Sequence, residues 1–89
     1  MRFVYDADKS EANERKHGID FETVQELWWG PVVTAPSPRK GEMRYISIGR
    51  IAGEYWSVIH AQHGELLRII SARRATKEER SRFDKGNHS

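Results

Sequence analysis

The residues of this 89-residue chain that are best suited to catalysis are a histidine and several arginines in its second half. The histidine lies among apolar residues, and because an imidazole titrates near neutral pH it can serve as a general base or acid. A guanidinium binds phosphate through two parallel hydrogen bonds and stabilises negative charge in a transition state. These residue types predict chemistry on a phosphate group, with His60, Arg50, Arg68 and Arg73 as the candidate catalytic residues.

Each candidate also has a structural interpretation. A histidine inside a strand is equally well explained as a hydrogen-bonded, partly buried residue of the sheet. The arginines have possible ion-pair partners in Glu54, Glu65 and Glu78. Arg73 and Arg74 are adjacent in a strand, so their side chains face opposite ways and at least one should reach any groove.

Charge is distributed unevenly along the chain, although the net charge is only +2. Residues 1–30 hold four Lys/Arg and seven Asp/Glu, whereas residues 39–89 hold eleven and six. A positive surface on the second half attracts phosphate backbones, or an acidic protein partner. Two tyrosines there either stack on bases or pack as ordinary strand residues. The candidate residues for binding a nucleic acid are Arg74, Lys77, Arg80, Tyr45 and Tyr55.

The elements that position these residues follow from capping signals and hydrophobic periodicity. A first strand at residues 1–5 precedes a helix that Asp6 or Asp8 caps and Gly18 ends. A second helix begins after Asp20 and carries an apolar stripe as far as Trp28. A short strand follows at residues 32–34. The last helix begins with a capping box at Thr76–Glu79, continues to about residue 84, and leaves a polar tail at residues 85–89 that we expect to fray.

Between the short strand and the last helix the apolar period changes to two, which predicts a three-stranded antiparallel meander. Three-residue turns would pair Ile48 with Val58 and set His60 beside Arg68, and two-residue turns would shift this register by one. The predicted fold is a small α+β domain over residues 1–89, with a mainly antiparallel twisted sheet, two N-terminal helices and one C-terminal helix. The predicted strands are Arg44–Ile51, Tyr55–Gln62 and Leu66–Arg73.

Composition excludes several classes of site. The chain has no cysteine, so disulfides, thiolate metal sites and sulfur nucleophiles are excluded. The histidines at positions 17, 60, 63 and 88 lack ligand spacing, and we expect neither a metal nor a cofactor. No apolar run approaches the roughly 20 residues of a membrane helix, and the N-terminus does not read as a signal peptide. We expect a cytoplasmic protein that does not contact a membrane.

Three motifs carry a resemblance to a known family. Lys16–Glu22 reads KHGIDFE, Arg68–Thr76 reads RIISARRAT, and Ile48–Arg50 reads IGR. With this order and spacing the chain resembles the BrnT toxins of type II toxin–antitoxin systems, within the RelE-like superfamily. The resemblance implies a RelE-like fold, RNA cleavage that arrests translation, and a BrnA antitoxin with a ribbon-helix-helix DNA-binding region. DNA would then be contacted only through the antitoxin.

Function within such a system has more than one possible form. The first hypothesis is a metal-independent endoribonuclease, in which the 2′-hydroxyl of RNA attacks the adjacent phosphate. The alternative is a binding module, either never enzymatic or catalytically decayed, that acts with the antitoxin in transcriptional autoregulation. Trp28 and Trp29 are adjacent and cannot face one core, so we expect one at the surface as part of an antitoxin interface.

Overall fold

The computed structural model describes residues 1–87 and shows one five-stranded sheet with three α-helices. The order of elements and the α+β class are those predicted, and part of the tail expected to fray lies outside the described residues. Of the predicted second helix, only the first turn is α-helical and the rest is a 3₁₀ helix.

The elements are β1 Arg2–Val4, α1 Ala7–His17, α2 Phe21–Val24 with the 3₁₀ helix Gln25–Trp29, β2 Val33–Pro36, β3 Arg44–Ile51, β4 Glu54–His63, β5 Leu66–Arg74 and α3 Lys77–Gly86.

The sheet is mixed, and its one parallel pair of strands refines the expectation of a mainly antiparallel sheet. Its strand order is β1-β5-β4-β3-β2, and β1 runs parallel to β5 while the other neighbours are antiparallel. The chain places β1 at one edge, crosses a face of the sheet with α1, α2 and the 3₁₀ helix, and forms β2 at the other edge. The meander then fills the space between the two edges.

Both turns of the meander have two residues, which is the shorter of the two lengths considered from the sequence. Only Ala52 and Gly53 separate β3 from β4, and both have positive φ, as a type I′ turn requires. The predicted three-residue turn did not allow for an alanine in this conformation. The register therefore shifts, and Ile48 pairs with Ser57 instead of Val58.

A β-bulge in β5 changes the register again. The two-residue β4–β5 turn pairs His60 with Ile69, not with Arg68, and beyond this pair Ile59 lies opposite Ser71. Ile70 is therefore the extra residue, and a bulge of this kind turns the residues beyond it to the other face. Because of the bulge, Arg73 lies opposite Ser57.

Two hydrophobic clusters lie on opposite faces of the sheet. The larger cluster is between the sheet and the α1, α2 and 3₁₀ segments, and the smaller is under α3. The sheet thus has an α1/α2 side and an α3 side. The larger cluster contains Ile19, Phe21, Val24, Leu27, Ile51, Trp56, Val58, Leu67, Ile69 and Ala72, and the smaller contains Ile48, Ala75 and Phe83.

Candidate functional site

A cleft lies where the β3–β4 turn, the end of β5 and the first turns of α3 meet. Its volume is about 290 Å³. We call it the strand-end cleft, and it is lined by Gly53, Glu54, Tyr55, Arg74, Ala75 and Arg80. Three of these residues, Tyr55, Arg74 and Arg80, are predicted RNA-binding residues.

Tyr55 is held at the cleft by three contacts, two to its ring and one to its hydroxyl. The ring packs edge-on against Phe83, with 5.7 Å between centroids, and the Arg50 guanidinium lies 5.1 Å from its centroid. The Tyr55 hydroxyl donates a 3.0 Å hydrogen bond to Asp84 Oδ1. Arg50 is a predicted catalytic residue, and its stacking on Tyr55 places it next to the cleft.

The positively charged side chains at the cleft differ in whether an acidic side chain neutralises them. The Arg74 guanidinium lies 5.3 Å from the Trp56 ring centroid and forms an ion pair with Glu54, as one of the structural alternatives predicted. Arg80 donates to the Ala75 carbonyl oxygen at 3.4 Å and keeps its side chain exposed. Lys77 is exposed one turn earlier, beside the groove that Arg80, Ser81, Asp84 and Lys85 line on α3. An anion in the cleft would therefore meet the guanidinium of Arg80 and that of Arg74, for which it would compete with Glu54.

Arg73 lies on the α3 side in a bidentate ion pair with Glu79, at 2.7 and 2.9 Å. Glu79 also accepts hydrogen bonds from Ser57 Oγ at 2.9 Å and from the Thr76 amide at 2.9 Å. The Arg73 hydrogen bonds, with smaller contributions from the Thr76 amide and the Ser57 hydroxyl, lower the pKa of Glu79 to about 2. The same pairing raises the pKa of Arg73. Arg73 thus fastens α3 to the sheet.

Arg68 lies at the other end of the sheet from the cleft. It pairs with Ala61 of β4, seven residues from Glu54, which is roughly 23 Å at the rise of an extended strand. There it shares the carboxylate of Glu42 with Arg44, whose Nε donates to Glu42 Oε1 at 2.8 Å. Arg68 and Arg50 therefore cannot bind one phosphate together.

His60 lies on the α1/α2 side and is 1% exposed. Its Nε2 is 2.8 Å from Ser47 Oγ, which is 2.7 Å from Thr34 Oγ1, and its Nδ1 has no hydrogen-bond partner within residues 1–87. Its ring stacks on Tyr45 and packs edge-on against Trp28. Desolvation by burial lowers the pKa of His60 to about 4. The geometry favours the structural interpretation of His60, and its catalytic role stays a prediction.

Sequence reasoning identified the cations of these sites but missed most of their acidic partners. Glu79 had a signal, because the capping box placed it near Thr76, yet nothing indicated its pairing with Arg73. Glu42 lies in a loop without a pattern, and Asp84 is 29 residues from Tyr55 in sequence. These partnerships depend on register and on the docking of α3.

Comparison with known proteins identifies the family. Residues 5–79 match the family model described as the ribonuclease toxin BrnT of type II toxin–antitoxin systems. The chain belongs to the BrnT toxin family. A comparison with curated proteins finds no significant relative. The matched segment includes every residue that lines the strand-end cleft of this BrnT toxin except Arg80.

Two further features of the described residues concern metal ions and membranes. Within residues 1–87, no group of three or more His, Cys, Asp or Glu side chains is arranged to hold a metal ion. His88 lies outside the described residues. Over the same part of the chain, no helix has the length and apolar character needed to cross a membrane.

Proposed function

We propose that this BrnT toxin is a metal-independent endoribonuclease that acts in the cytoplasm and binds RNA at the strand-end cleft. The observation that carries the proposal is the convergence of Tyr55, Arg74 and Arg80 from β4, β5 and α3 at one cleft, with Arg50 stacked on Tyr55 beside it, in a member of a ribonuclease toxin family. Lys77 extends the positive surface along α3. Arg74 and Arg80 bind the scissile phosphate and stabilise the charge that develops on it.

The Tyr55–Asp84 pair supplies the proton acceptor. The Tyr55 oxygen accepts the proton of the attacking 2′-hydroxyl as its own proton passes to Asp84, 3.0 Å away. The 2′-oxygen then forms a bond to phosphorus, the bond to the 5′-oxygen breaks, and the leaving 5′-oxygen takes a proton from water. Arg50 keeps the Tyr55 ring in place through its stacking contact.

Cleavage tests this assignment directly. Purified toxin is incubated with RNA in excess EDTA, and we expect products that end in a 2′,3′-cyclic phosphate and a 5′-hydroxyl. Tyr55→Phe keeps the ring contacts but removes the hydroxyl, and should lower kcat at least 100-fold. Arg74→Ala/Arg80→Ala should lower kcat/KM by more than Tyr55→Phe does. Arg15→Ala, which removes an exposed arginine from α1, is the matched control and should leave cleavage unchanged.

The remaining predicted residues are tested in the same assay. His60→Gln should retain kcat within a few-fold at pH 7.5 if His60 is structural, whereas loss of a general base costs about 10²- to 10⁴-fold. Tyr45 packs on His60, so we expect Tyr45→Leu to change stability more than RNA affinity. Arg73→Lys should weaken the bidentate pair with Glu79 while it keeps the charge.

A type II system includes a protein antitoxin, and we propose that it is a BrnA-type ribbon-helix-helix protein that alone contacts DNA in the complex. Trp29 is 81% exposed, while Trp28 packs on Phe3 and His60, so Trp29 is the tryptophan available to a partner. Trp29→Ala should therefore weaken antitoxin binding without changing cleavage.

The non-enzymatic alternative has one observation in its favour. Arg68, Arg73 and Arg74 each form an ion pair within the chain, which reduces the charge available to a phosphate. Salt-sensitive RNA binding without cleavage, and harmless overexpression of the toxin alone, would support this alternative over catalysis.

A further inference from the structure

Three charged residues form a cluster at the far end of the sheet from the cleft. We call it the Glu42 clamp, and it consists of Glu42, Arg44 and Arg68. Both arginines pair with Ala61 in the register, so they flank it on the two neighbouring strands. The Cβ atoms of directly paired residues lie about 5 Å apart, so the Cβ atoms of Arg44 and Arg68, on either side of Ala61, are roughly 10 Å apart. Ala61 is buried and short, and the Glu42 carboxylate extends over it to reach both arginines.

The loop before β3 holds Glu42 in this position. Arg39 and Glu42 exchange two backbone hydrogen bonds, of 3.0 and 2.9 Å, around Gly41, which has a φ of 81°. The loop also presents the exposed side chains of Arg39 and Lys40. The surroundings of Glu42 are therefore rich in cations.

The ion pairs of the clamp are open to solvent on one side. The side chains of Glu42, Arg44 and Arg68 are 26%, 29% and 39% exposed. The Arg44 and Arg68 hydrogen bonds hold the pKa of Glu42 below its ordinary value, so its carboxylate is ionised at neutral pH. Partly exposed ion pairs contribute little net stability because water screens them. Another anion can therefore replace the carboxylate at low cost.

We propose that Arg44 and Arg68 form a second phosphate-binding site for the RNA backbone, which Glu42 occupies in the free protein. Carboxylate and phosphate oxygens accept the same guanidinium N–H groups, so a phosphodiester fits where the carboxylate lies. The proposal rests on the proposed function, because it requires the cleft to bind the same RNA strand. Glu42 then competes with RNA and lowers its affinity.

The position of the clamp favours RNA over an acidic protein segment. Arg68, Arg73 and Arg50 are distributed along the α3 side of the sheet from the clamp to the cleft, which suits a linear polyanion. The roughly 23 Å between the two ends corresponds to about six or seven stacked nucleotides at 3.4 Å each. An oligonucleotide of three residues in the cleft does not reach the clamp, whereas one of ten does.

The test compares wild-type toxin with Glu42→Gln, using oligoribonucleotides of three and ten residues. Full 2′-O-methylation of these probes removes the attacking hydroxyls, so binding is measured without cleavage. We expect Glu42→Gln to lower the Kd of the ten-residue probe five- to tenfold and to leave that of the three-residue probe unchanged. Glu42→Gln/Arg44→Gln should lose the gain. Glu65→Gln is the matched control, because it removes an exposed carboxylate from the β4–β5 turn at the same end of the sheet.

Several results would overturn the second site. Equal gains for both probes, or an equal gain from Glu65→Gln, would show a general effect of charge. A lower Tm for Glu42→Gln with unchanged RNA affinity would make the clamp a structural fastener. If Glu42→Gln increased the affinity for a polyglutamate peptide instead of RNA, the Glu42 clamp would be a site for an acidic protein segment. If unmodified RNA is cleaved but the gain is absent, this inference fails alone, whereas a toxin that neither binds nor cleaves RNA contradicts the proposed function as well.

Discussion

At the scale of single residues, burial determines the charge state of His60. With a pKa of about 4, roughly one imidazole in a thousand is protonated at pH 7. A neutral ring suits its surroundings, since it lies between Tyr45 and Trp28 and shares a hydrogen bond with Ser47. Protonation would place an unpaired charge among these groups. The folded state therefore resists protonation of His60, whereas the unfolded chain does not.

This resistance predicts that the toxin loses stability in mild acid. The pKa of His60 is lower in the folded state than the unfolded value of 6.5, so its contribution is complete above pH 6.5 and is lost as pH falls towards 4. We expect the free energy of unfolding to fall by about 2 kcal/mol between pH 7.5 and pH 5. Urea denaturation at half-unit pH intervals measures this change. The lowered pKa values of Glu79, Glu42 and Asp20 act in a lower window, below about pH 4.5.

Two variants isolate the contribution of His60. His60→Gln should abolish the fall in the free energy of unfolding between pH 6.5 and pH 5, whatever the stability of this variant at neutral pH. His63→Gln, at an exposed position in the same strand, should keep it. Parallel curves for wild type and His60→Gln would show that another group is responsible.

Residue types were predictable at this scale, but their partners were not. A strand arginine indicates affinity for phosphate, yet whether Arg73 meets a phosphate or Glu79 depends on where α3 docks. Arg74 was the favourable case, since Glu54 is close to it through the pairing of Trp56 with Arg74 in adjacent strands. The pairing of Arg68 with Glu42 spans 26 residues and three elements, and no local pattern encodes it.

At the scale of elements, the 3₁₀ helix packs so closely on β3 that only glycine fits at position 49. A Cβ there would lie 2.9 Å from Cγ of Leu27 and 3.2 Å from a methyl group of Val32. Leu27 is fully buried, so it has little room to move. We expect Gly49→Ala to destabilise the fold by about 1 to 3 kcal/mol, measured by urea denaturation at pH 7.5.

Gly30 provides the comparison for this prediction. A Cβ at Gly30 meets no atom within 4 Å, and its φ of −123° is ordinary for any residue. Gly30→Ala should change the free energy of unfolding by less than about 0.5 kcal/mol. If Gly49→Ala were equally mild, the packing of the 3₁₀ helix on β3 would be looser than the structure shows.

Element existence was predictable from sequence, whereas register was not. Strong periodicity and the capping box at Thr76 located the meander strands and the start of α3 within a residue or so. The register depends on single conformational choices, the positive φ of Ala52 and the bulge at Ile70. Neither feature could be read from the residue type, because alanine disfavours a positive φ and isoleucine favours a regular strand over a bulge. Each choice changes the facing of the residues beyond it. The length of the β4–β5 turn acts in the same way, because two residues there pair Arg68 with Ala61, and His60 and Arg68 therefore lie on opposite sides.

At the scale of the whole molecule, charge is separated across the sheet. The acidic first 30 residues include α1 and α2 on one face, and the basic second half includes α3 on the other. The charge asymmetry was predictable from composition, but its alignment with the two faces required the strand order. Because β1 and β2 occupy opposite edges, the segment that joins them crosses one face, and this segment, residues 5–32, holds three Lys/Arg and seven Asp/Glu. A polyanion is therefore attracted to the α3 side and repelled from the α1/α2 side.

The placement of Arg74 and Arg80 at the strand-end cleft predicts that these two cations determine the salt dependence of RNA binding. Each phosphate neutralised on single-stranded RNA contributes about −0.7 to the slope of log K against log salt concentration. Arg74→Ala/Arg80→Ala should therefore flatten the slope by about 1.4, measured with a 2′-O-methylated probe between 50 and 300 mM salt. Arg15→Ala/Lys16→Ala removes the same charge from exposed positions in α1 and should leave the slope unchanged. Equal flattening in both variants would mean that RNA responds to net charge alone and that the strand-end cleft has no privileged role.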